Sequence, residues 1–116
     1  ETTFHDVADG WYLILPEKWR NQVVVERDTG SEEATVTFSY RNGSELENFL
    51  KISAITGDSR EIKAVRGGRF ILSRRAETIY SAELLETDSD GGLGMTEDEL
   101  RAAFNLITAE WLAGDN

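Results

Sequence analysis

The sequence predicts an α+β fold: an antiparallel β-sheet of about six or seven strands packed against a C-terminal amphipathic helix. Three observations predict it. Segments 34–40 and 79–85 alternate apolar and polar residues with period two, the mark of half-buried strands. Gly67-Gly68 and Asn42-Gly43 are tight-turn dipeptides that punctuate such segments. The stretch from Thr96 onward opens with a helix cap and then spaces its apolar residues at helical intervals.

The strands follow in order. Thr2–Val7 is a candidate edge strand. Trp11–Leu15 is apolar on both faces, which suits a central or covered position. Gln22–Arg27 presents Val23 and Val25 on one face. In Ala34–Tyr40, the residues Ala34, Val36, Phe38 and Tyr40 share a face, and Thr35, Thr37 and Ser39 share the other. Phe49–Thr56, Arg69–Arg74 and Ile79–Leu85 complete the set, with Tyr80, Ala82 and Leu84 aligned. Gly67-Gly68 is expected to join Lys63–Arg66 to Arg69–Leu72 as a two-residue hairpin, which would set Arg66 opposite Arg69. Polar stretches at 28–33 and 87–95 read as loops.

For the C-terminal helix, Thr96 and Glu99 form the capping-box pattern T-x-x-E, and Glu97, Asp98 and Glu99 suit the positive end of the helix dipole. Leu100, Phe104, Ile107 and Trp111 form one apolar face, with Ala103 and Leu112 beside it, and Gly114 is the expected terminator. Such a helix would be about 25 Å long.

The 116 residues fit one domain spanning 1–116. A chain of this length buries roughly two-thirds of the surface its unfolded form exposes, enough to fold without a metal or crosslink. The absence of cysteine excludes disulfides and thiolate chemistry. The net charge of −10, from 22 acidic and 12 basic residues, disfavours nucleic acid and anionic membranes as general partners. No stretch is long and apolar enough to span a membrane. The sequence begins at Glu1 rather than Met, which reads as a processed or trimmed product with room for a removed signal or lipid anchor.

The chemistry-bearing residues have structural explanations, so no catalytic, cofactor or metal residue is assigned. The run Asp88 to Glu99 places acids at positions one, three and twelve of a calcium-type loop. However, Leu93 stands where the sharp turn needs glycine, and Glu99 belongs to the helix cap. His5 is the single histidine and lacks the partners of a triad or zinc site. Asn42-Gly43-Ser44 is a glycosylation sequon. Trp11, Trp19 and Trp111 are expected in the core, Trp19 being the one best placed for exposure. Charge is uneven: residues 60–75 hold six of the twelve basic residues against Glu61 alone, a local +5 in a chain of −10. Arg66, Arg69, Arg74 and Arg75 are therefore the candidate contacts for an anionic ligand or protein partner, against the alternative that the abundant acids neutralise them from within.

The segment Gly10-Trp-Tyr-Leu-Ile-Leu-Pro16-Glu-Lys-Trp19 resembles the G-x-x-hydrophobic-x-L-P-x-x-W opening of small extracytoplasmic domains of Gram-positive bacteria. Phe104 to Trp111 resembles their final F-x-x-I-x-x-x-W helix, and Ile79-Tyr80-Ser-Ala82-Glu a late strand. These domains are secreted or lipid-anchored and resemble the PsbP-like α/β/α sandwich. The resemblance implies a central antiparallel sheet and a binding or accessory role, and supplies no catalytic residues. The long N-terminal helix of some PsbP-like proteins has no counterpart here. The expected function is thus a non-enzymatic extracytoplasmic binding or accessory domain. The alternatives are a small hydrolase-like enzyme using cleft carboxylates, or a self-associating structural domain.

Overall fold

A computed structural model describes residues 1–87 and 93–108. These form two antiparallel sheets. The small sheet has the order β1-β2-β8, from β1 (Thr2–Asp6), β2 (Trp11–Leu15) and β8 (Phe104–Leu106). The large sheet has the order β3-β4-β5-β7-β6, from β3 (Val23–Thr29), β4 (Glu33–Asn42), β5 (Glu45–Ile55), β6 (Phe70–Arg74) and β7 (Ile79–Leu84). The seven strands taken in order from the sequence are present, the hairpin arm expected at Lys63–Arg66 is not, and β8 is an added strand.

Register follows the alternation. In β4, Ala34, Val36, Phe38 and Tyr40 are all buried, and Val36 and Phe38 pair with Ile52 and Leu50 of β5. Asn42 pairs with Glu45 at the β4–β5 hairpin, so the tight turn expected at Asn42-Gly43 falls one residue later, on Gly43-Ser44, with Gly43 at φ 67°. A bulge at Phe38/Ser39 adds one residue on β5, and Phe49 enters the core as well as Leu50.

The inner faces of the sheets share one core. Phe4 of β1 meets Phe38 edge-on at 5.8 Å, and Phe104 of β8 meets Tyr80 of β7 at 5.8 Å. Trp11 and Leu13, fully buried in the central β2, fill the middle. The outer face of the large sheet is covered in part by α1 (Arg60–Lys63) and a 3-10 turn at Arg66–Gly68. Ala64 packs there on Ile55 and Ile79, and Ser81 Oγ donates to the Ala64 carbonyl at 2.6 Å.

Two expectations are corrected. The C-terminal helix, α2 (Glu97–Ala103), has the expected capping box but stops after seven residues. Phe104 turns extended (φ −88°, ψ 133°), and β8 pairs with β2 through Leu13↔Phe104, Tyr12↔Asn105 and Trp11↔Leu106. Phe104 continues the helical spacing from Leu100 toward Ile107, yet with Leu106 it also fits period two. Pairing lets them satisfy the backbone edge of β2 and stack Phe104 on Trp11 at 5.6 Å. Trp111, Leu112 and Gly114 lie outside the described residues. Second, Lys63–Arg66 is not a strand, so Gly67-Gly68 does not close a hairpin and Arg66 does not face Arg69 across one. Both glycines do take positive φ, 65° and 83°, to turn the chain from the 3-10 turn into β6.

Candidate functional site

The β1 and β3 edges of the two sheets lie on the same side of the molecule. One half of that side is closed by Arg27. Its Nε donates to Asp6 Oδ2 at 3.0 Å and its Nη2 to Asp9 Oδ2 at 2.8 Å, tying β3 to the end of β1. Hydrogen bonds to Asp6 and then Asp9 raise the guanidinium pKa above its ordinary value. Asp6 is 4% exposed and also accepts from the Asp9 amide at 3.0 Å, so the carboxylate is well satisfied.

The other half is open. A groove of about 670 Å³ runs between the start of β1, the end of β2 and the start of β3. Leu15, Pro16, Trp19, Val23 and Val25 supply its apolar lining, and Glu1, Glu17 and Arg20 sit among its charged residues. Local sequence builds it. Pro16 (φ −59°, ψ 143°) starts a 3-10 turn at Glu17–Trp19, and the Trp19 amide donates to the Pro16 carbonyl at 3.0 Å. Asn21 then takes φ 62°, a left-handed conformation that asparagine tolerates, and redirects the chain into β3. Trp19 is 2% exposed, in the core as expected, although by sequence it is the tryptophan best placed for exposure. Its ring packs on Phe38 and Phe49, and its Nε1 donates to the Leu93 carbonyl at 2.8 Å. Trp19 is therefore a rigid wall, not an exposed stacking platform. The resemblance motif Gly10–Trp19 marks this corner; the groove itself depends on β3, which follows the motif.

The basic segment is dispersed. Arg66 and Arg69 line one depression of about 380 Å³ on the outer face, together with Lys63, Glu33 and Glu83. Arg69 pairs with Glu33 and donates to the Lys63 carbonyl at 3.2 Å, and Lys63 pairs with Glu32 at 3.2 Å. The bond from Arg69 holds the Glu33 carboxyl below its ordinary value. Arg74 pairs with Glu61 at 3.1 Å. Arg75 lies at the far end of the sandwich, where it donates to Tyr80 Oη at 3.0 Å and to the Gly10 and Ile107 carbonyls. Arg66 is exposed, and among the described residues its side chain makes no ion pair or hydrogen bond, although its carbonyl accepts from the Arg69 amide at 3.3 Å. The structure thus brings Arg66 and Arg69 together, separates Arg74 and Arg75 from them, and gives three of the four an internal partner.

His5 is exposed and stacked on Tyr12 at 5.1 Å. Of the calcium-type loop, Asp88 and Asp90 lie outside the described residues, and Glu99 accepts from the Thr96 amide at 2.9 Å in the cap. Among the described residues no helix is long and apolar enough to cross a membrane. Compared with family models, curated proteins and solved structures, the chain has no significant match.

Proposed function

We propose that the chain is a non-enzymatic binding or accessory domain that works outside the cytoplasm, and that the groove beside β3 is its ligand site. The groove carries this reading. Its volume lies within the range of about 300–1,000 Å³ typical of ligand pockets, and its lining combines apolar side chains with polar and charged groups that can fix a ligand's orientation. Its wall is fixed by Trp19, which costs little to preorganise.

The PsbP-like resemblance belongs to the same proposal. It is supported by a large antiparallel sheet with cover on both faces: the small sheet and α2 on one, α1 and its flanking turn partly on the other. Export, as a secreted or lipid-anchored protein, follows from that resemblance. The site is tested by titrating an apolar fluorescent probe against the protein and against Val25→Arg, which places a charge in the groove. Saturable binding lost in the variant, with Tm confirming that the variant is folded at the assay temperature, is the expected result; equal binding by both would remove the groove as the site. Fractionation of the producing cell tests the localisation, and recovery from the cytoplasm would overturn it.

A further inference from the structure

Resting on the groove as the ligand site, we propose that its occupant is an extended cationic segment of another protein, added as a sixth strand to the edge of β3 with alternate apolar side chains in the groove.

Strand β3 ends the large sheet. Among the described residues it pairs on one side only, Val23–Thr29 against Ala34–Tyr40 of β4. Every second N–H and C=O of β3 therefore points away from the sheet. Natural edges are usually blunted by charge, proline, a bulge or a covering side chain. The opposite edge, β6, is blunted in this way. Arg101 of α2 lies over the Phe70 ring at 5.2 Å and donates to the Ile71 carbonyl at 2.9 Å, and the β6–β7 register shifts between Ile71 and Ser73. Among the described residues the first half of β3 has no such device. Val23, Val24 and Val25 are uncharged, β-branched and half-buried.

The groove lies on the inner side of that unguarded half, with Val23 and Val25 in its wall. A strand laid along β3 would send every second side chain over the groove and the others outward. This is recognition by strand addition: backbone bonds supply affinity, and a pocket for alternate side chains supplies selectivity.

Charge selects the sign of the partner. Glu17, at the groove, and Glu26 and Asp28, exposed along β3, make no ion pair among the described residues. Arg27, between the latter two, is already neutralised by Asp6 and Asp9. Among the described residues Arg20 supplies the one basic side chain of the groove lining, beside Glu1 and Glu17, and the chain as a whole carries −10. A segment with lysine or arginine at its outward positions meets this field favourably.

The test is fluorescence anisotropy with a short labelled peptide alternating valine and lysine. Three comparisons accompany it: the valine–glutamate analogue, a valine–lysine peptide N-methylated at alternate residues, and the Val25→Arg protein, with Tm confirming its fold. The expected result is saturable binding that weakens about tenfold or more in each comparison, since each removes one of charge, backbone pairing or groove. Equal binding by the N-methylated peptide would overturn strand addition, and equal binding by the glutamate analogue would overturn the cationic assignment. If no peptide binds but an apolar probe still enters the groove, the strand proposal fails while the ligand site stands. If neither binds, both fail. Concentration-dependent dimerisation abolished by Val25→Arg would make a second copy the occupant and overturn the proposal.

Discussion

Arg69 shows how single residues hold this fold. Its guanidinium meets Glu33 on β4 and the carbonyl of Lys63 at the end of α1, so one side chain fastens the outer segment to the sheet. Replacing it with alanine should cost about 1–2 kcal/mol, the scale of a partly exposed ion pair plus a charged hydrogen bond. The effect should depend on pH. Because Arg69 lowers the Glu33 pKa from 4.5, the pair's stabilisation is complete above that value and is lost as pH falls through the lowered one. Urea unfolding should therefore show a gap between parent and Arg69→Ala that is wide at neutral pH and narrows in acid. The basic cluster was legible in the sequence. Neutralisation from within was an expected alternative, but its partners were not legible, because Glu32 and Glu33 lie 31 and 36 residues from Lys63 and Arg69, and only folding brings them together. The Thr96 cap was legible because all its partners are local. Thr96→Ala removes the bond accepted from the Glu99 amide at 3.1 Å and should lower stability by about 1 kcal/mol in the same assay.

At the scale of elements, period-two strands were the most readable features and the end of α2 the least. Leu100 is fully buried and satisfies the helical pattern, but Phe104 and Leu106 serve an edge that the sequence does not display. Local propensity cannot reveal that β2 needs a second partner; the tertiary demand for pairing decides it. Phe104→Ala should therefore behave as a core truncation, costing about 3 kcal/mol, because it removes the stacking on Trp11 and the tilted ring contact with Tyr80. A nuclear Overhauser contact between Tyr12 and Asn105 would accompany the strand pairing in the parent. The Gly67-Gly68 dipeptide carries a related lesson. Its backbone demand for positive φ was readable, but the turn it serves was not. Ala64 and its packing on Ile55 and Ile79, rather than a cross-strand pair, fix the preceding chain.

For the whole molecule, coverage of the large sheet determines where a partner can bind. Its inner face is filled by β1, β2, β8 and α2, part of its outer face by the α1 segment, and its β6 edge by Arg101. The β3 edge and the groove beside it are what this arrangement leaves open. The valines and the tryptophan of that corner were visible in the sequence as core and strand residues. Their convergence on a groove was not, because it depends on the gap between two sheets and on the turn through Asn21. The most direct measurement is amide hydrogen exchange, residue by residue, across Val23–Arg27 of the free protein. An open edge gives alternation: amides facing β4 are protected and those facing outward exchange quickly. Uniform protection along β3 would mean that the edge is already covered, and would contradict the account.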